Sequence, residues 1–256
     1  MADYDNRALG SRTAVATGID QGLRTYMLRV YNYMLIGLAV TGLTALGTAA
    51  LTTTTDPNLA VATLRNGVML TSLGKTLYGS PLQWVVALAP LGFVLFLRAR
   101  IQSLSVGAAQ ATFWAFAAVM GVSISSIFLV YTGASVTQVF FITAAAFGGL
   151  SLWGYTTKTD LTGMGSFLIM GLWGIIIAMI VNLFLKSAMT DWVISIMGVG
   201  IFAGLTAYNT QSIKEMYYAG DDGAVAAKKS IWGALSLYLD FLNMFLFLLR
   251  LVGGRR

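Results

Sequence analysis

Long apolar stretches separated by short polar connections make up most of the chain. Windows of about 19 residues identify seven of them, at residues 30–51, 82–97, 106–131, 134–155, 164–185, 192–212 and 230–249. About 20 apolar residues in a helix suffice to cross a hydrocarbon core of about 30 Å. The pattern predicts an all-α polytopic membrane protein, with a polar tail (1–27), a seven-helix transmembrane domain (28–250) and a short basic tail (251–256). Residues 52–81 are predicted to form a longer polar connection.

The last stretch differs from the others because it carries an acidic residue, Asp240, near its midpoint. Gly233, Ser236, Asp240 and Asn243 recur at helical spacing and form one small, polar face. A charge that faced lipid at mid-depth would cost at least about 2.5 kcal/mol. We therefore expect this helix to be the innermost one, wrapped by the other six, with its polar face against protein or water.

Composition agrees with a membrane protein and excludes several kinds of chemistry. Hydrophobic residues make up 57% of the chain and charged residues 10%, with a mean hydropathy of +0.76. The absence of Cys and His excludes disulfides, thiolate zinc sites and imidazole catalysis. The net charge of +6 comes from basic residues scattered along the ends of the stretches, so a nucleic-acid partner is not expected. The expected partner is the lipid bilayer.

Loop charges favour a cytoplasmic N-terminus, because ten of the sixteen basic residues then lie on the cytoplasmic side. If residues 230–249 were re-entrant, Arg250, Arg255 and Arg256 would also become cytoplasmic, and the charge rule alone prefers that version. The length of the stretch, without an internal Gly/Pro break at which it could turn back, favours seven complete spans. Small residues spaced four apart, Gly121 with Ser125 and Gly200 with Gly204, are typical of close helix packing.

Asp240 is the central candidate for function, because the other nine acidic residues fall outside the spans or at their ends. Desolvation should favour its neutral form. Its possible roles are an ion or proton site and a structural contact that fixes helix register. Asn209 in the sixth span has a carbonyl oxygen and two donors, so it could coordinate a cation or hydrogen-bond to Asp240. Arg98 and Arg100 could snorkel to the interface or form an ion pair with Asp240. Further polar lining is expected from Thr206, Tyr208, Ser236 and Asn243.

Two segments, GLTAYNTQSIKEMY and LSLYLDFLNMFLFLLR, resemble the last two helices of the Bax inhibitor-1 family, specifically its bacterial YccA-like branch. The similarity extends over the membrane region and includes TFWAFAAVMGVSISSIFLVY in the third stretch. The resemblance implies seven helices around a central last helix in the inner membrane. It also implies a pH-sensitive calcium leak that depends on two aspartates, one in each of the last two helices, and on an arginine of the second helix.

One position departs from the family pattern. The last-helix aspartate corresponds to Asp240, but the family's YDTQ reads Tyr208, Asn209, Thr210, Gln211 here. Two carboxylates would titrate as a coupled pair, whereas an Asn and an Asp cannot. Mixed carbonyl and carboxylate oxygens still suit calcium, so Asp240 and Asn209 are the candidate calcium ligands, with one charge fewer.

Three functions follow as hypotheses. The first is a pH-sensitive calcium leak channel gated around Asp240, with calcium as the transported ion and no other cofactor. The second, also implied by the resemblance, is a non-conducting regulator that binds a membrane-anchored ATP-dependent protease through the polar tail or the connection at residues 214–230. The third, an intramembrane enzyme, is disfavoured because an aspartyl protease needs two facing carboxylates and the spans contain only Asp240, while serine chemistry usually needs a base and the chain has no His. We therefore do not expect an enzyme.

Overall fold

The computed structural model describes residues 21–255, so most of the predicted polar tail at residues 1–27 lies outside the described part of the chain. Within it the helices are α1 (Gln21–Thr52), α2 (Ser72–Gly79), α3 (Leu82–Arg100), α4 (Val106–Ile124), α5 (Ile127–Val130), α6 (Gly133–Thr156), α7 (Thr162–Leu185), α8 (Ala188–Glu215) and α9 (Gly223–Val252). Seven helical segments, with α4 and α5 taken together, are long and apolar enough to cross a membrane. This confirms the predicted all-α polytopic architecture.

Side-chain caps begin most of the long helices after the first. The hydroxyl oxygens of Ser105, Thr132 and Ser187 accept hydrogen bonds from backbone N–H groups in the first turns of α4, α6 and α8, and the Asp222 carboxylate does so for α9. Such caps satisfy donors that have no partner within the helix. The connections that contain these caps are short, and the spans that they join are therefore antiparallel.

The last helix, α9, lies at the centre of the bundle. It packs against α8, α1, α6 and α4, and more of its apolar span is buried inside the protein than of any other span in residues 21–255. Helices α3 and α7 lie further out, α3 against α4 and α7 against α8. Many large apolar side chains of α3 and α7 are consequently exposed on the outer surface, where a bilayer would cover them.

α9 runs without interruption from Gly223 to Val252, so it crosses the bundle completely and is not re-entrant. Its first turns lie beside the end of α3, where Lys228 Nζ donates a hydrogen bond to the carbonyl oxygen of Gln102. The C-terminal Gly254 N–H donates to Ser135 Oγ at the start of α6, at the opposite end of the bundle. The C-terminus therefore lies at the opposite end of the bundle from the start of α9.

The connection at residues 52–81, predicted as polar chain only, contains helix α2 and a small antiparallel sheet. Strands β1 (Thr53–Thr54), β2 (Ala62–Thr63) and β3 (Met69–Leu70) occur in the order β1-β3-β2. The Asn66 side-chain amide donates to the carbonyl oxygen of Leu129 and joins this cap to the bundle. Strands of two residues are too short to give an alternating pattern, which explains why the sequence did not predict them.

Close helix contacts occur at two of the predicted small residues. A Cβ at Gly121 would collide with Thr44 Oγ1 of α1, and one at Gly204 would come within 2.6 Å of Leu168 on α7. Nothing lies within 4 Å of a Cβ placed at Gly200, so this position is not a packing contact within residues 21–255. Ser125 marks the end of α4, so the predicted third span is divided into α4 and α5.

Candidate functional site

One face of α9 is not covered by its neighbours. Five of its partly exposed residues follow a spacing of four and three residues and form a single stripe, at Trp232, Ser236, Leu239, Asn243 and Leu246. The stripe lines a groove between α3 and α7, which form no substantial interface with each other. The groove has a volume of about 580 Å³, and α8 supplies its remaining wall.

Asp240 lies at the edge of this groove, where α9 meets α8. Its side chain is 4% exposed, and it is the only charged residue among the buried ones in residues 21–255. Asn209 Nδ2 of α8 donates a hydrogen bond of 2.7 Å to Asp240 Oδ2. The antiparallel pairing of the two helices also places Ile213 of α8 against Gly233. Gly233, predicted on the polar face, is therefore a packing contact, whereas Asp240 and Asn209 both line the groove.

Ser236 and Asn243 line the groove one turn before and one turn after Asp240, as the sequence predicted. Ser236 Oγ donates a hydrogen bond of 3.2 Å to the carbonyl oxygen of Trp232. Asn243 Nδ2 donates one of 2.8 Å to that of Leu239. The bond of Asn243 within α9 is made by its amide nitrogen, and its amide oxygen is an acceptor that could meet a cation.

Arginines lie at both ends of the groove. Arg98, at the end of α3, lines it near Trp232, and Arg250 lines it at the other end of α9. The distance from Trp232 to Arg250 along the helix is about 27 Å at 1.5 Å per residue, close to the thickness of a hydrocarbon core. Arg100 is not among the lining residues. The two ion pairs found in residues 21–255 are Lys229–Asp221 and Arg250–Asp191, and neither includes Asp240.

Arg250 was not predicted as a site residue and was counted only among the charges that set topology. A signal for it exists, because Ser236, Asn243 and Arg250 are spaced seven residues apart and so share one face of the helix. At a distance of 3.9 Å, Arg250 Nη1 approaches Asp191 Oδ1 at the start of α8. This pair joins α8 and α9 at the end of the groove furthest from Arg98.

The segment at residues 206–211 directs its side chains to different parts of the bundle. Tyr208 lines the groove, as predicted, and its ring would collide with a side chain at Gly165. Thr206, predicted as lining, is instead fully buried away from the groove, and its hydroxyl donates to the carbonyl oxygen of Phe202. The hydroxyl found its partner on its own helix, which is common for Thr in membrane helices.

Thr210 and Gln211 fix the surroundings of Asn209, a role that was not predicted from the sequence. Thr210 Oγ1 lies 3.0 Å from Ser151 Oγ, which in turn lies 2.7 Å from the hydroxyl of Tyr31. Gln211 Oε1 accepts from the N–H of Leu161, and its Nε2 donates to the carbonyl oxygen of Thr159. The segment thereby connects α8 to α6, α1 and the α6–α7 connection, and these contacts hold the helix turn that carries Asn209.

The side-chain oxygens around Asp240 are fewer than the ligands that a calcium ion takes. Calcium takes six to eight oxygen ligands, and no group of three or more acidic, His or Cys side chains able to hold a metal occurs in residues 21–255. Asp240 supplies a carboxylate, and Asn209 and Asn243 supply amide oxygens. A groove of this size has room for water molecules, each of about 30 Å³, to provide the remaining ligands.

Comparison with known proteins identifies the family. A family model described as inhibitor of apoptosis-promoting Bax1 matches residues 23–256. The chain belongs to the Bax inhibitor-1 family. The chain is 44% identical to the inner membrane protein YbhL of Escherichia coli K12 over 239 residues, which are 92% of this chain and 94% of YbhL.

Uncharacterized proteins of two other bacteria show similar identity. One, from Caulobacter vibrioides, is 45% identical over 239 residues, which are 93% of this chain and 92% of that protein. The other, from Rickettsia prowazekii, is 43% identical over the full length of both chains. The predicted Bax inhibitor-1 membership is therefore confirmed, while the finer assignment to a YccA-like branch stays a prediction.

Proposed function

We propose that this Bax inhibitor-1 family member is a pH-sensitive leak channel for calcium, located in the bacterial inner membrane with its N-terminus in the cytoplasm. The observation that carries the proposal is the groove along α9, which extends for about the thickness of a hydrocarbon core and whose lining contains one acidic residue, Asp240, among residues 21–255. The seven spans and the similarity to YbhL, an inner membrane protein, support the location. The loop charges support the orientation.

The chemistry that we propose depends on the charge of Asp240. In its ionised form, Asp240 attracts a partly hydrated calcium ion into the groove, and Asn209 turns its amide so that the oxygen, rather than the nitrogen, faces the ion. Protonation removes the charge and leaves a neutral side chain that cannot compensate the dehydration of a divalent cation. Flux should therefore fall as the pH is lowered through the titration of this carboxyl group.

Arg98 is the arginine that we propose as the gating partner of Asp240, because it lines the same groove and Arg100 does not. A guanidinium that approached the carboxylate would neutralise it and occupy the space that a cation needs. Ionic contact between the two is thus the proposed non-conducting arrangement. Arg98 is exposed, and it takes part in neither of the two ion pairs found in residues 21–255.

The experiment is calcium flux into vesicles that contain the purified protein, for the parent and for Asp240→Asn. We expect the substitution to abolish the pH-dependent flux because it removes the charge while it keeps the size of the side chain. Glu215→Gln is the matched control, since it removes one carboxylate from an exposed position at the end of α8. If Asp240→Asn conducts calcium as the parent does at every pH, Asp240 has no part in conduction and the proposal fails.

The alternative function is a regulator that binds and restrains a membrane-anchored ATP-dependent protease without conducting ions. The exposed connection between α8 and α9 favours a surface of this kind, because Glu215, Tyr218 and Asp222 are exposed there. Most of the polar tail proposed for the same role lies outside the described residues. Capture of the protease by the full chain, but not by a chain that lacks residues 1–20, would favour this function and assign it to the tail.

A further inference from the structure

A second cavity lies at the end of the bundle where α9 begins, next to the Asp240 groove. Its volume is about 380 Å³, and it is lined by Arg98, Ile101, Gln102, Met216, Val225, Lys228, Lys229 and Trp232. The end of α3, the end of α8 and the start of α9 supply these residues. Three of them are basic and none is acidic. The cavity is therefore suited to a negatively charged ligand.

Two of the three basic side chains form no ion pair within residues 21–255. Lys229 Nζ is paired with Asp221 Oδ2 at 2.6 Å. Lys228 Nζ donates a hydrogen bond of 2.8 Å to the carbonyl oxygen of Gln102, which fixes its position but does not neutralise it. Arg98 and Lys228 belong to neither of the ion pairs found among residues 21–255. Lys228 retains two further N–H donors, and Arg98 has five in a planar arrangement.

The position of the cavity indicates the source of the negative charge. Its basic residues lie in the last turn of α3 and the second turn of α9, so they are at the ends of membrane spans. Trp232 lies one helix turn further into the bundle, and Trp is the residue typical of the membrane–water interface. Basic pockets between membrane helices at this depth bind phospholipid head groups.

We propose that this cavity binds the phosphate group of an anionic glycerophospholipid, with Lys228 and Arg98 as its donors. A phosphodiester oxygen accepts hydrogen bonds from both side chains, and an anionic lipid such as phosphatidylglycerol brings no ammonium group that the two cations would repel. A zwitterionic lipid carries a cation next to its phosphate and should bind more weakly. The glycerol part of the lipid would lie at the level of Trp232, and its acyl chains in the surrounding bilayer.

The test uses the purified full chain in detergent with added phosphatidylglycerol or phosphatidylcholine. Retained lipid is counted by native mass spectrometry, and the shift of the thermal unfolding midpoint is measured in parallel. We expect the parent to retain phosphatidylglycerol in preference to phosphatidylcholine and to be stabilised by it. Lys228→Gln and Arg98→Gln should each reduce the retained phosphatidylglycerol about tenfold, the loss expected for one charge-assisted hydrogen bond.

Lys75→Gln is the matched control, because Lys75 is an exposed basic residue on α2, which is distant in the chain from this cavity and does not line it. It should retain phosphatidylglycerol like the parent. Equal retention by Lys228→Gln, Arg98→Gln and the parent would overturn the proposal, and so would equal retention of the two lipids. Displacement of phosphatidylglycerol by inorganic phosphate at equal concentration would show that a soluble anion is the ligand and would overturn the lipid assignment.

Lipid retention is measured without calcium flux, so its outcome is independent of whether the protein conducts. Lys228 does not line the groove that contains Asp240, and its substitution therefore tests the lipid site alone. If Lys228→Gln does not fold, Lys228→Arg keeps the charge and should retain phosphatidylglycerol. A folded Lys228→Arg protein that had lost this lipid would contradict a site based on charge.

Discussion

The two faces of α9 differ in how fully their polar side chains are hydrogen-bonded. Tyr238 and Asp240 are two residues apart and point to different sides of the helix. The Tyr238 hydroxyl lies 2.6 Å from Thr41 Oγ1 of α1, and its ring meets Phe113 and Phe116 of α4 edge to face. Thr41 Oγ1 in turn lies 2.9 Å from the carbonyl oxygen of Ala117. On this face, which we call the closed face, the hydroxyls of Tyr238 and Thr41 both have hydrogen-bond partners inside the bundle.

On the groove face, Asp240 has one hydrogen-bond partner, Asn209, among residues 21–255. A carboxylate can accept several hydrogen bonds, so this group keeps unused capacity beside a space that can hold water and ions. We therefore expect the closed face to contribute stability and the groove face to carry the proposed ion passage. This division can be tested, because a substitution on each face should affect one property and spare the other.

Phe116→Ala should have the largest effect on stability. Phe116 is fully buried between α4 and α9, and removal of a buried Phe side chain typically costs about 3–5 kcal/mol. We expect that loss in the free energy of unfolding, measured by denaturant titration in detergent. Phe184→Ala is the control, since Phe184 is 83% exposed on the outer surface of α7. Equal losses for both would mean that the face around Tyr238 is not a packed core.

Gly121→Ala should have the next largest effect. The added methyl group would collide with Thr44 Oγ1 and with the carbonyl oxygen of Thr41, so α4 would have to move away from α1. Overpacking of this kind costs about 1–3 kcal/mol of unfolding free energy. Gly200→Ala adds the same group to α8 where nothing lies within 4 Å, so it should leave the unfolding midpoint unchanged or raise it slightly, because Ala has the higher helix propensity. A stable Gly121→Ala protein would show that the α1–α4 contact is loose.

The sequence contained the features that depend on helix periodicity and on the cost of burying charge. The seven apolar stretches predicted the spans, and the one acidic residue within them predicted which helix is central. The contact between Asn209 and Asp240 was one of two alternatives that the chemistry of an amide allowed. Periodicity also placed Ser236 and Asn243 correctly, because both follow from the position of Asp240 on a regular helix.

Features that depend on tertiary contacts were not predictable. Thr206 is within one turn of Asn209, yet its hydroxyl donates to the Phe202 carbonyl oxygen and does not line the groove. The sheet of β1, β2 and β3 consists of residue pairs too short to show a pattern. The groove itself exists because α3 and α7 do not meet, and nothing in the sequence of either helix specifies that gap.

Asn209→Asp sharpens the comparison on the groove face. It would place two carboxyl groups within hydrogen-bond distance, and repulsion between their charges makes such a pair retain a shared proton. We expect the pH of half-maximal calcium flux to rise by at least about one unit, which corresponds to about 1.4 kcal/mol. The control is Asn58→Asp, because Asn58 Nδ2 also donates to an aspartate, Asp56, but in an exposed loop. An unchanged flux curve for Asn209→Asp would contradict coupling at this site.

Asp240→Asn should have the smallest effect on stability, although it should abolish flux. The Asn209 amide can donate to the new amide oxygen as it does to Asp240 Oδ2, and an ionisable group is removed from a buried position. We therefore expect the free energy of unfolding to change by less than about 1 kcal/mol, or to increase. The substitution removes the charge that ion passage needs but keeps the hydrogen bond that would fix helix register. A loss of flux at unchanged stability therefore favours ion passage over a purely structural role. A loss as large as that of Phe116→Ala would assign Asp240 to the structure of the bundle and would remove the distinction between its two faces.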